Sequence, residues 1–268
     1  MVHLGRQIRF SVDPFLDGVE EGCNSYSSKP AGAGLAVFLE LTVELLGPVD
    51  PETGFVINVT EIDDRVREFA VPVFAERIRD RWRRGEHVDL KALAQMLGLA
   101  RERLSDKFGS AGINRLRLKL NPFRTLTMDT TDPGMMYFSE KFEFAAMHKL
   151  WNDRLSESEN YAVFGKCAHP AGHGHNYIVE VTAGTPADGP ELRIGEFERV
   201  VDAELIQIVD HKNLNVDVPA FAEMIPTVEN LATFAWDRLA DKLAPARLHC
   251  VTVWETDRTY CSYCGPQH

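Results

Sequence analysis

Two histidines stand two residues apart in Gly172-His173-Gly174-His175-Asn176-Tyr177, and the chain then runs into Ile178-Val179-Glu180-Val181-Thr182. That β-branched run predicts a strand. In a strand, side chains two apart share a face. His173 and His175 therefore aim two imidazoles at one point, with glycine between them so that nothing bulky intrudes. A third imidazole lies upstream. Phe142, Phe144, Ala146 and His148 alternate with Glu143, Ala145 and Met147, which sets His148 on the apolar face of another predicted strand. If these strands are neighbours, three imidazoles meet on one side of a sheet. Three protein ligands with an open fourth position make a catalytic zinc site rather than a structural one. Cys167 as a fourth, structural ligand is disfavoured, because a zinc staple normally shows paired Cys-x-x-Cys spacing and Cys167 has no such neighbour. The plain alternative for His148 alone is a satisfied core histidine.

Further ordered motifs surround this stretch: Phe164-Gly165-Lys166-Cys167, Asp210-His211-Lys212-Asn213-Leu214-Asn215, Pro226-Thr227-Val228-Glu229-Asn230 and Glu255-Thr256. Over residues 144–260 the chain resembles 6-pyruvoyl-tetrahydropterin synthase and its bacterial relative, 6-carboxytetrahydropterin synthase. The resemblance implies a carbon–oxygen lyase acting on phosphates. Dihydroneopterin triphosphate would lose triphosphate and rearrange to 6-pyruvoyl-tetrahydropterin, the ring being reduced as the side chain is oxidised. It implies Zn2+, one per chain, on His148, His173 and His175, with Mg2+ accompanying the substrate triphosphate. It implies Cys167, Asp210 and His211 as a catalytic triad, Glu255 as the pterin anchor, and Thr227 and Glu229 lining the same pocket. A base at Cys167 needs its thiol, ordinarily near pKa 8.5, shifted toward the thiolate; nearby zinc and a charged His211 would do so. Thr227 before an acidic turn is equally a helix cap. Lys149, Lys166 and Arg154 are candidates for the triphosphate, or simply a solvated face. Five residues separate Cys167 from His173, as in the pyruvoyl-type enzymes. The carboxy-type reaction of deazaguanine (queuosine) biosynthesis is the alternative, and a non-catalytic zinc- or pterin-binding protein is the alternative of another class.

These residues require a scaffold of paired strands. The fold class is α+β, as tandem repeats of the tunnelling fold (T-fold) that the resemblance implies, each a four-stranded antiparallel sheet with two helices on one face. Residues 138–268 would be the zinc-dependent domain and residues 1–137 a degenerate repeat without metal or catalytic residues. In the first half, residues 8–16 align with 142–150 and put Pro14 where His148 stands. A strand follows over 35–45, then a turn at Gly47-Pro48-Val49-Asp50-Pro51-Glu52-Thr53-Gly54 and a returning strand over 55–60. Helical spacing runs from 62 to 108, with Pro72 at a start or kink. The alternation of Leu116, Leu118 and Leu120 is a strand, and 125–139 is the connection between halves. The second half places helices at 198–209 and 228–243. Three tandem chains would supply six sheets, so a homotrimer of stacked rings is expected, with a dimer or tetramer of alternating units as the alternative.

Composition bounds the rest. A chain of 268 residues that is 44% hydrophobic can bury one large core or two ordinary ones. No apolar run is long enough to span a bilayer, and the first residues show no signal-peptide pattern. The net charge of −11 argues against nucleic acid as a partner. Five cysteines without a regular framework fit a reducing, cytoplasmic compartment. Cys23 reads as a plain thiol, and the Cys261/Cys264 pair as incidental.

Overall fold

The computed structural model describes residues 1–15, 24, 26 and 35–266; Cys23 lies outside them. The chain divides into two compact units, residues 1–138 with 185–191 and residues 139–184 with 192–268. Both are α+β, with antiparallel strand pairs and helices.

In the first unit, β1 (Val2–Val12) and β2 (Val37–Gly47) pair antiparallel along their whole length. β3 (Gly112–Lys119) pairs with β2, and β4 (Arg124–Asp129) with β3. Alternation puts Ile8, Phe10, Val12, Leu39, Leu41, Val43, Leu45, Leu116, Leu118 and Leu126 in the core. Helices α1 (Val59–Arg65), α2 (Val71–Arg83) and α3 (Leu90–Leu104) bury Ile62, Phe74, Ile78, Leu97 and Leu104. A π-helical turn, Val66–Ala70, joins the first two, with Pro72 in the first turn of α2. The rings of Phe10 and Phe74 meet at 5.7 Å, tying sheet to helix. The opposite sheet face carries charge pairs such as Arg115 with Asp129 at 2.6 Å.

The expected strand over 55–60 is absent. Asp50 instead closes the preceding turn, its carboxylate accepting from the backbone of Glu52 and Thr53 at 2.9 and 2.8 Å. Asn58 then caps α1, accepting from Thr60 N at 3.0 Å. The cap chemistry overrides the β propensity of Val56, Ile57 and Val59. Likewise β1 and β2 are displaced from their expected bounds. The expected connection over 125–139 is a strand, β4, followed by the start of the next.

In the second unit the order is β5 (Met135–His148), β6 (His173–Pro186), β8 (Arg247–Thr256), β9 (Thr259–Tyr263), with β7 (Lys212–Asn213) pairing parallel to β5. Between β5 and β6 come α4 (Glu157–Phe164), held by a capping box at Ser156, and a 3-10 turn, Gly165–Ala168. After β6 follow α5 (Ile194–Val201), a π-helical turn, α6 (Gln207–Val209), β7 and α7 (Leu214–Asp217). A 3-10 turn, Pro219–Ala222, leads to α8 (Val228–Leu239), which buries Leu231, Phe234 and Leu239. The β8–β9 register pairs Val251 with Tyr263. It brings Cys250 to Cys264, and the two form a disulfide. Cys264 is therefore not incidental, contrary to the expectation from its Cys-x-x-Cys spacing to Cys261: its partner lies across the β8–β9 hairpin. Among the described residues, no helix is long and apolar enough to cross a membrane.

Candidate active site

Strands β5 and β6 bring the three histidines together. His148 ends β5, fully buried. His173 and His175 open β6 on the same face. One nitrogen from each ring lies within 4.8 Å of the others, and His148 Nε2 is 3.1 Å from His173 Nε2. The glycine that permits this is Gly172, not the intervening Gly174. Gly172 has φ +70°, and a Cβ there would stand 2.8 Å from the His148 carbonyl oxygen, whereas one on Gly174 would make ordinary contact at 3.5 Å.

The donor set fits zinc. His148 Nδ1 donates to the Pro226 carbonyl oxygen at 2.7 Å, which leaves the Nε2 lone pair facing the cluster. A metal-binding histidine is normally oriented by such a bond. The Tyr177 hydroxyl lies 3.3 Å from the same Nδ1, and its ring stacks on Phe144 at 4.9 Å. Burial, then the neighbouring imidazoles, pushes His148 down to about 4; burial and His175 lower His173. Both are neutral at pH 7, as ligands must be. His175 Nε2 is buried with no hydrogen-bond partner, an orphan that a cation at this point would satisfy.

Glu255, on β8, brings Oε1 to 3.5 Å from His148 Nε2 and 3.7 Å from His175 Nε2. Cys167 sits in the turn after α4 as a free, half-buried thiol. Burial and then Glu255 push that thiol up. Within the chain its surroundings thus act against the expected thiolate. His211 takes φ +55° after α6, and its Nδ1 is 2.8 Å from Asp210 Oδ2. Asp210 Oδ1 accepts from the Ala145 backbone at 2.9 Å. Asp210 and His211 are joined, but no hydrogen bond or ion pair links either to Cys167 in the chain. The His211 imidazole stands exposed.

A cavity of about 900 Å³ opens beside His148, lined by it and by Lys149, Trp151, Arg154, Asn215 and Phe221 among others. Lys149 Nζ lies 3.8 Å above the Trp151 ring. Lys166, Thr227 and Glu229 do not line it. Thr227 caps α8, accepting from Asn230 N at 3.3 Å, and Glu229 sits in the first turn of that helix. Sequence reasoning missed the Pro226 carbonyl and gave no role to Asn215, Asn230 or Tyr177. Asn230 Nδ2 donates to Ile225 O at 2.8 Å, so it holds the turn from which Pro226 reaches His148. Only the motif context of these residues was visible beforehand.

Residues 137–266 match the family model described as 6-pyruvoyl tetrahydropterin synthase. The chain is 41% identical over 130 residues to the human 6-pyruvoyl tetrahydrobiopterin synthase, covering 90% of that protein with 47% of its own length. The chain belongs to the 6-pyruvoyl tetrahydropterin synthase family. A second relative, the 6-carboxy-5,6,7,8-tetrahydropterin synthase of Aquifex aeolicus, is 28% identical over 157 residues, with 47% of this chain and 95% of that protein covered. Among solved structures, the Caenorhabditis elegans 6-pyruvoyl tetrahydropterin synthase is similar at 30% identity and TM-score 0.45, over 49% of this chain and 96% of that one. The family match contains all three histidines, Cys167, Asp210, His211 and Glu255.

Proposed function

We propose that residues 138–268 form a zinc-dependent 6-pyruvoyl-tetrahydropterin synthase that eliminates triphosphate from 7,8-dihydroneopterin triphosphate with internal redox rearrangement. The observation that carries this is the convergence of His148, His173 and His175 on one point, with Glu255 beside them, in a chain 41% identical to a pyruvoyl-type enzyme. Zinc held by the three imidazoles would supply a Lewis acid that acidifies the C–H bonds next to the substrate's side-chain hydroxyls.

The chain's own groups divide the remaining work. Glu255 offers two carboxylate oxygens to the parallel N–H donors of the pterin edge. That contact also engages the negative charge that raises the Cys167 thiol. Cys167 takes up side-chain protons as the thiolate. His211, oriented by Asp210, supplies the positive charge that favours this form. Because no hydrogen bond or ion pair joins Cys167 to Asp210 or His211 within the chain, we read the triad as completed by another copy. Lys149 and Arg154, which line the cavity, would meet the triphosphate. Mg2+ would accompany the substrate triphosphate rather than belong to the chain.

We read residues 1–137 as a degenerate T-fold repeat serving assembly, a reading supported by its antiparallel strands β1 to β4 and the helices between β2 and β3. Three chains then supply six sheets, giving a homotrimer with stacked rings and sites between subunits.

Incubation with dihydroneopterin triphosphate and mass analysis of the product tests the reaction. A pyruvoyl product supports it; a carboxy product moves the protein to the deazaguanine reaction; no product favours a binding protein. Light scattering tests the assembly. Three chains support stacked rings, and two or four support alternation.

A further inference from the structure

Strand β5 carries His148 near its end, and the segment 210–215 runs along it. In a strand, the N–H and C=O of alternate residues point to the same edge, so Ala145, Met147 and Lys149 present theirs together. At Ala145 the partners are Asp210 Oδ1, accepting at 2.9 Å, and His211 N, donating to the carbonyl at 2.6 Å. In the middle, β7 pairs Lys212 with Ala146 and Asn213 with Met147. Beyond Asn213 the chain turns into α7, so no backbone remains to pair with Lys149. The Asn215 side chain takes its place. Its Oδ1 accepts from Lys149 N at 2.7 Å, and its Nδ2 donates to Lys149 O at 2.9 Å. A primary carboxamide is a peptide group in miniature, with one acceptor and a donor side by side, so it extends the ladder by one rung.

We propose that Asn215 is a positioning residue for the metal site, clamping the backbone just after His148 so that its Nε2 stays aimed at His173 and His175. The inference rests on the zinc reading above. His148 is then fixed from two directions: its ring by the Pro226 carbonyl, and its backbone by the clamp at Lys149 and the pairing at Ala146 and Met147. The same clamp couples the Asp210–His211 pair to the metal ligand, because both ends of one short segment are stitched to the same strand. Asn215 is itself anchored, its backbone N–H donating to Asn213 Oδ1 at 3.1 Å. Aspartate at this position would keep the acceptor for Lys149 N but set an oxygen against the Lys149 carbonyl.

The experiment measures zinc affinity of the full chain by competition with a chelating dye, and the visible spectrum of the cobalt-substituted protein, for wild type, N215A and N215D. Oriented outer-shell partners of metal ligands are worth about 10–100-fold in affinity. N215A is expected to bind zinc about that much more weakly with an altered cobalt spectrum, and N215D to fall between it and wild type. Dichroism restricts the comparison to folded protein; if N215A fails to fold, N215D carries the test. Wild-type affinity and spectrum in a folded variant would overturn the positioning role while leaving the zinc site standing. Failure of wild type to bind zinc at all would overturn the zinc reading itself, and the role of Asn215 with it.

Discussion

The two units solve the same packing problem and end differently. Each lays helices over the apolar face of antiparallel strands, with rings bridging the layers: Phe10 with Phe74 in the first, Phe142 with Phe197 at 6.1 Å in the second. In the first unit β1 runs out into Asp13 and Pro14. Asp13 is buried and spends its polar groups locally, its carboxylate accepting from Phe15 N at 2.9 Å and its carbonyl from Arg79 at 3.1 Å. In the second, β5 ends on His148, whose ring nitrogen faces two further imidazoles. The first arrangement is satisfied; the second leaves buried nitrogens of His173 and His175 without partners. An architecture does not confer chemistry, which resides in the few side chains at strand ends.

The contrast breaks most completely in His173→Ala. Zinc content and turnover are expected to fall to background while far-UV dichroism stays largely native, because the site lies at strand ends and not in the core. Metal analysis showing full zinc retention would return the second unit to the chemical silence of the first.

Next in size is Cys167→Ala. Zinc is expected to stay bound while turnover drops about 10²–10⁴-fold, the usual worth of a positioned base. Single-turnover rates with metal content measured alongside would separate the two; an unchanged rate would remove Cys167 from the chemistry.

The buried histidine also predicts an acid sensitivity. His148 is held at about 4 in the fold against an ordinary 6.5. Between those values the unfolded chain binds a proton that the native state refuses. The metal-free protein should therefore keep its full stability above pH 6.5 and lose it as pH falls toward 4, by on the order of 3 kcal/mol. Denaturant titrations at several pH values measure this, and His148→Asn should flatten the profile.

The smallest effect belongs to the first unit. Arg65→Ala removes exposed ion pairs with Glu61 and Glu68 and should cost no more than about 1 kcal/mol, with zinc affinity unchanged. A loss of zinc on this change would show the first unit supporting the metal site, against the division drawn here.

Much of this was legible in the chain because it depends on short-range periodicity. The alternation from Phe142 to His148 and the spacing of His173 and His175 define faces whatever the rest of the fold does. The motifs at Cys167, Asp210-His211 and Glu255 identified the family. Composition and alternation likewise located most of the strands and the helical stretch from 62 to 108. Local pattern misled where two rules competed: Val56, Ile57 and Val59 read as a strand until Asn58 acts as a cap, and Thr125-Leu126-Thr127-Met128 passed as a connection although it alternates.

Tertiary structure alone decided the contacts that join distant segments. Pro226 reaches His148 across 78 residues, Asn215 reaches Lys149 across 66, and Cys250 finds Cys264 through the β8–β9 register. None of these leaves a periodic trace, because each depends on where a backbone group or side chain arrives after the strands have paired. The sequence determined which groups could bind a metal and on which face they stand. Folding decided which carbonyl orients the ring, and which side chain clamps the backbone beside it.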